Sequence, residues 1–246
     1  VSGASTGKRS GGGALYVLST QIYLDHVGIK GCTAGSRGGG GMLLDGGATA
    51  DMTNGCEWSN NSAESGYGGH IQLSASKLTV GRYDLIVPLL KPIFSAAKFD
   101  VTLQTNNIIF NGNALSGGGI FCSSSESPEL GVYLYSDTRI VQSTASGSSH
   151  NDGGGAITAI LCDVVLRGVL LANNSAGNVT RTVHSDNAGG NGGAVLLLYS
   201  SRLVDLGGSN FTSNLARASG GAVSCNACNE ILLGGSTRFE HNVAKT

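Results

Sequence analysis

Gly192-Gly193-Ala194-Val195 is followed, sixteen residues after Val195, by Phe211-Thr212-Ser213-Asn214. The pair returns at the same separation as Gly220-Gly221-Ala222-Val223 and Phe239-Glu240-His241-Asn242. A turn-forming doublet, an aliphatic residue, a large apolar residue and an asparagine therefore recur with a period of 28 residues. Fixed periods of this length are the signature of stacked repeats, in which one unit cannot bury its apolar face alone.

The same anchors extend over the rest of the chain. The doublet stands at Gly12-Gly13-Ala14-Leu15, Gly40-Gly41-Met42-Leu43, Gly68-Gly69-His70-Ile71, Gly117-Gly118-Gly119-Ile120 and Gly154-Gly155-Ala156-Ile157. Intervals between the aliphatic residues are 28, 28, 49, 37, 38 and 28. The second anchor reads Trp58…Asn61…Ala63, Phe110…Asn113, Leu171…Asn174…Ala176, Phe211…Asn214…Ala216 and Phe239…Asn242…Ala244, with weaker copies at Ile29…Cys32…Ala34 and Ile140…Ser143…Ala145. The two alternate strictly, and the residues between them alternate apolar and polar over short runs broken by Gly, Asn and Ser. That is strand patterning, with no sustained helical period.

The fold predicted is a right-handed parallel β-helix of about seven coils, one domain over 1–246. Coils stack about 4.8 Å apart, so each strand pairs with its counterparts above and below. The aliphatic residue after the doublet forms one internal ladder and the Trp/Phe/Leu position another. The doublet marks a corner needing positive φ or close backbone approach. The repeated Asn predicts a second corner, since Asn tolerates the left-handed region, and its side chains stack along the axis. The alternatives are a β-sandwich with Gly-rich turns and a propeller, for whose blades of about 40 residues or more a 28-residue unit is too short. Two stretches exceed the coil length and are expected as insertions, about 76–97, with the apolar run Leu85 to Phe94, and about 177–190, a polar loop with Arg181, His184 and Asp186.

Composition agrees. The 246 residues include 40 Gly but only 3 Pro and no strict three-residue period, which excludes collagen. A hydrophobic fraction of 40% argues against disorder. Charged residues are 13% and the net charge is −1, without the basic face of a nucleic-acid binder. The longest apolar run is too short to span a bilayer. Both ends fall inside a coil, with no amphipathic cap, so axial self-association or further repeats of the same chain are expected as partners.

Chemistry is sought next. Sites of pectin-cleaving β-helices need clustered carboxylates, or Asp with Arg and Lys, in one lateral groove. Acidic residues are scattered here, and Asn-Thr-Asp, Asp-Asp and Gly-His-Gly are absent. His150-Asn151-Asp152 and Asp25-His26 read as exposed polar pairs. The Gly runs open strands rather than helices, so they form no phosphate loop. Calcium β-roll repeats fail at Ala194, which stands where Asp is required. No enzyme activity, cofactor or metal is expected. The rival is a carbohydrate-active enzyme or glycan-binding module of pectin-lyase-like fold, which leaves a surface or glycan ligand open. An ice-binding face ranks last, because Thr does not recur regularly.

Sequons stand at Asn60, Asn173, Asn178 and Asn210, and Asn60 and Asn173 share one repeat position, just before the motif Asn. Six cysteines suit an oxidising compartment. In coil register Cys122 and Cys225 lie five residues after the first Gly of their doublets, and Cys162 and Cys228 eight after theirs. This predicts Cys122–Cys162 between neighbouring coils and Cys225–Cys228 within one. Cys32 and Cys56 remain as a third pair in adjacent coils. Cys225-Asn226-Ala227-Cys228 follows a strand, favouring a structural bridge over a redox or zinc site. Together these features point to an extracellular or cell-surface location.

The alternation of Gly-Gly-Ala-(Ile/Leu/Val), at Gly12–Leu15, Gly154–Ile157, Gly192–Val195 and Gly220–Val223, with Phe-x-x-Asn, at Phe110/Asn113, Phe211/Asn214 and Phe239/Asn242, resembles the polymorphic outer-membrane protein repeats of chlamydial autotransporter passengers. Similar repeats occur in large surface proteins of algae and protists. The resemblance covers nearly the whole chain and implies a β-helix serving adhesion or surface architecture. Trp58, Leu171 and Ile29 depart from Phe, and Cys32 and Ser143 from Asn. No translocator barrel accompanies the repeats.

Overall fold

A computed structural model describes residues 1–7, 10–81, 107–124, 130–147, 149, 151–177 and 189–245. Among them the chain is all β, a right-handed parallel β-helix of seven coils. Each coil contributes four short strands. Coil 1 consists of β1 (Leu15–Leu18), β2 (Gln21–Asp25), β3 (Gly28–Lys30) and β4 (Thr33–Ala34). Coil 7 consists of β25 (Val223–Asn226), β26 (Glu230–Leu233), β27 (Arg238–Glu240) and β28 (Val243–Ala244). Every fourth strand joins the same sheet, giving four parallel sheets of seven strands.

The interior is a set of like-on-like ladders. In the first sheet Leu15, Met42, Ile71, Ile120, Ile157, Val195 and Val223 stack. In the third, Ile29, Trp58, Ile109, Ile140, Leu171, Phe211 and Phe239 do. The Phe211 and Phe239 rings stack with centroids 4.6 Å apart. In the two-residue strands of the fourth sheet alanine points inward from Ala34 to Ala244, so that the coil closes on a narrow side.

The glycine doublet has a distinct reason at each position. The first glycine of all seven doublets has φ between 60° and 66°, a conformation costly for residues with a Cβ. The second has no room for one. At Gly13, Gly40, Gly69, Gly118, Gly155 and Gly193 a Cβ would fall onto the carbonyl oxygen of the equivalent glycine in the next coil.

Several sequence-derived positions shift. Coil 2 is anchored by Gly39-Gly40 and Met42, not Gly40-Gly41 and Leu43; Leu43 stands in the outward row with Tyr16 and Gln72. The run Gly38 to Gly41 allows both alignments, and the internal ladder selects the one that buries Met42. In coil 3 the ladder residue is Ile109 rather than Phe110, which leaves Asn113 exposed and brings Ala114 into the alanine column. The left-handed residue of the second corner is the one before the motif Asn. It is Gly31, Asn60, Asn111, Gln142, Asn173, Ser213 or His241, with φ of 54–62°.

The first insertion starts later than expected. Lys77–Val80 is a strand paired on both sides, and the remainder, from residue 82 to 106, lies outside the described residues. So do residues 178–188 of the second insertion, although its feet, Gly177 and Gly190, pack against each other. At the amino-terminal end Ser2 and Ser5 bridge in parallel to Lys30 and Thr33, continuing the third and fourth sheets by part of a coil.

Candidate functional site

The most structured polar feature is the corner between the third and fourth sheets. Its inner column is Cys32, Asn61, Gly112, Ser143, Asn174, Asn214 and Asn242, and the last three asparagines form a ladder, buried at Asn174 and Asn214 and half-buried at Asn242. Asn174 Nδ2 donates to the Ile140 carbonyl at 3.0 Å and to Asn214 Oδ1 at 3.0 Å. Asn214 Nδ2 repeats this with the Leu171 carbonyl and Asn242 Oδ1, both at 2.9 Å. Each Oδ1 also accepts the backbone N–H of the previous coil's column residue: Asn174 from Ser143, Asn214 from Asn174, and Asn242 from Asn214. Polar groups the corner would otherwise strand in the core are thereby satisfied.

Coil 3 breaks this column and repairs it from elsewhere. Gly112 has no side-chain carboxamide, but the third residue of that coil's doublet motif is His70, where the other coils carry Ala or Gly. Asn61 Nδ2 donates to the Ile29 carbonyl at 2.9 Å and to His70 Nδ1 at 2.8 Å. His70 thus takes the acceptor place of the missing asparagine, and its ring fills the space a Gly112 side chain would occupy. The imidazole is fully buried. Burial pushes its pKa down to about 3, opposed by the Phe110 carbonyl, so the ring is neutral with its proton on Nε2.

Outside the ladder lie two uncharged files, the first exposed and the second half-buried except at Asn113. Asn60, Asn111, Gln142 and Asn173 occupy the left-handed corner, and Ser62, Asn113, Thr144 and Ser175 face outward from the fourth sheet. Asn111 Nδ2 donates to Asn60 Oδ1 at 2.8 Å, and the Thr144 and Ser175 hydroxyls lie 3.1 Å apart. Between the files of coils 2 to 4 runs an open groove of about 440 Å³, lined by Asn60, Asn61, Ser62, Asn111, Gly112, Asn113 and Thr144. Its wall is amide, hydroxyl and backbone. It is suited to hydrogen-bonding an uncharged polar group and offers no acid, base or nucleophile pair.

The sequons separate by position. Asn60 and Asn173 are exposed corner residues. Asn210 is half-buried on the third sheet, its Oδ1 accepting the Thr212 hydroxyl at 2.7 Å. Asn178 lies outside the described residues.

Disulfides join Cys122 to Cys162 across coils 4 and 5, and Cys225 to Cys228 within coil 7. The third expected bridge is not made, and Cys32 and Cys56 are free and buried. Register explains this. Cys32 aligns with Asn61, whose Oδ1 accepts its N–H, while Cys56 lies before the strand Glu57–Ser59. The two sit at opposite ends of one strand pair, about 10 Å or more apart, beyond the Cα reach of a disulfide. Burial pushes the Cys56 thiol pKa up.

Other polar groups stay dispersed. His26 Nδ1 lies 3.3 Å from Asp25 Oδ1 on an exposed turn, where a hydrogen bond from Asn54, aided by the His26 charge, holds the Asp25 carboxyl below its usual range. Arg202 forms a forked ion pair with Asp163 on the second sheet, through Nε to Oδ1 at 2.8 Å and Nη2 to Oδ2. His150 lies outside the described residues. Among those described, no group of three or more His, Cys, Asp or Glu is placed to hold a metal.

Sequence reasoning missed the His70–Gly112 exchange. With coils aligned in their true register the signal is plain, because the one non-small residue of one column and the one glycine of the corner's Cys/Asn/Ser column fall in the same coil. Comparison of the chain with family models, curated proteins and solved structures found no match.

Proposed function

We propose that the chain is a non-enzymatic structural or adhesive segment of an extracellular or cell-surface protein, with the open edge of coil 7 as a surface for axial self-association. One observation carries this reading. The inward ladder residues of coil 7 are open along the axis: Ile231 is 40% exposed, Leu233 49% and Phe239 44%, whereas Phe211, one coil below, is 0% exposed. The same edge presents unpaired strand N–H and C=O groups, which template further pairing. An apolar cross-section of this kind marks a contact surface.

The extracellular part of the proposal is supported by the two disulfides, by exposed sequons at Asn60 and Asn173, and by the resemblance of the repeat to surface-protein β-helices. No helix among the described residues is long and apolar enough to cross a membrane. Sedimentation velocity tests the axial edge. The chain is expected to form species above 24.8 kDa as concentration rises, and a Leu233→Lys/Phe239→Lys variant to suppress them. A wild-type chain that stays monomeric at every concentration would overturn the reading.

A further inference from the structure

We propose that Asn60 carries an N-linked glycan whose first sugars lie in the groove between the two polar files, over Gly112. The proposal rests on the extracellular reading and names the modification that this corner is built to hold.

Four observations converge. Asn60-Asn61-Ser62 is a sequon whose acceptor is exposed at a left-handed corner, φ 54°. The bond from Asn111 Nδ2 engages Asn60 Oδ1 and fixes the carboxamide plane. This leaves Nδ2, the atom that carries a glycan, as the uncommitted end. The groove starts at Asn60 itself, and its remaining lining is neutral amide, hydroxyl and backbone. Such a surface hydrogen-bonds the hydroxyls and acetamido group of an N-acetylhexosamine, and has no charge that a sugar would leave unpaired and desolvated. The coil-to-coil step of about 4.8 Å is close to the length of one pyranose ring, so successive sugars meet successive coils.

Asn173 provides an internal control. It has the same corner conformation, but the next coil places Ser213 and Leu215 where coil 3 places Asn111 and Asn113 beside Asn60. A glycan on Asn173 therefore meets an apolar side chain where one on Asn60 meets an amide, and it is held less.

Attachment precedes folding. Asn60 Nδ2 bonds to the anomeric carbon of a lipid-linked diphospho-oligosaccharide, the anomeric C–O bond breaks, the lipid diphosphate leaves, and one Nδ2 proton is released. In the folded chain the first sugars then lie in the open groove, over the coil whose inner side-chain carboxamide is missing.

The test is secretion of the chain from a eukaryotic host, followed by glycopeptide mass spectrometry and a native endoglycosidase time course. The expected result is an occupied Asn60 whose glycan is released several-fold more slowly than that of Asn173. This protection should disappear in Asn113→Ala, a substitution at an exposed side chain. Occupied Asn173 with bare Asn60, or equal release rates, would overturn the seating while leaving the extracellular reading intact. A secreted chain with every sequon bare would overturn the glycan proposal outright, whereas free thiols at all six cysteines of the native protein would overturn the extracellular reading.

Discussion

Replacing Asn214 isolates what the buried amide ladder contributes. Its side chain is 1% exposed. It accepts from Asn174 N at 3.1 Å and Asn174 Nδ2 at 3.0 Å, and donates to the Leu171 carbonyl and Asn242 Oδ1 at 2.9 Å. Asn214→Ala removes all four bonds and strands the Asn174 N–H in the interior. An orphaned buried donor costs about 1–3 kcal/mol and each lost net bond about 0.5–1.5 kcal/mol. The total is on the order of 2–5 kcal/mol, because the neighbouring amides re-pair in part. For a chain of this size that lowers Tm by roughly 5–15 °C. Asn214→Leu is the sharper variant, since it restores volume without any hydrogen bond. Guanidinium denaturation followed by circular dichroism gives the magnitude. Hydrogen exchange then locates the loss, which nearest-neighbour coupling in a solenoid confines to coils 5 to 7. If Asn214→Leu unfolds within about 0.5 kcal/mol of wild type, the range of an ordinary surface change, the ladder is only filler and the reasoning is refuted.

Phe211→Ala opens a cavity between Leu171 and Phe239 and is expected to cost about 3–5 kcal/mol, read from the same denaturation curves; melting like wild type would show the register to be wrong. His70 binds its proton far less readily folded than unfolded, so its contribution is fully present above pH 6.5 and is lost as pH falls toward about 3. At 1.36 kcal/mol per unit this amounts to on the order of 5 kcal/mol. Tm should therefore decline between pH 6.5 and 5 in wild type and be flatter in His70→Gln, and equal slopes would exclude a buried neutral imidazole. A thiol reagent should find no reactive cysteine in the native chain and two after unfolding without reductant, from Cys32 and Cys56; a count of zero would restore the third bridge.

The sequence carried the architecture because both anchors are backbone requirements. The doublet is needed for a positive φ and for a carbonyl that leaves no space, and neither tolerates substitution, so it survives in every coil. Register was less legible wherever flanking residues mimic the anchor. Four consecutive glycines before Met42 offer two alignments, and Asn111 and Asn113 on either side of Gly112 disguise the coil whose inner carboxamide is absent. The His70 repair joins residues brought together only by stacking, so no local motif announces it. The Cys32–Cys56 expectation failed for a related reason. Adjacency of coils was inferred correctly, but position along the strand separates the sulfurs. The groove was legible only in part, since Asn60 was flagged by its sequon while Asn113 and Thr144 join it through lateral pairing.

Axial self-association is tested most directly by electron cryomicroscopy of the native protein. Density for the stacked coil of a neighbouring copy is expected on the β25–β28 edge at about 4.8 Å spacing, burying Ile231, Leu233 and Phe239. A native particle in which that edge faces solvent, or is closed by a capping element with no further coil, would contradict it.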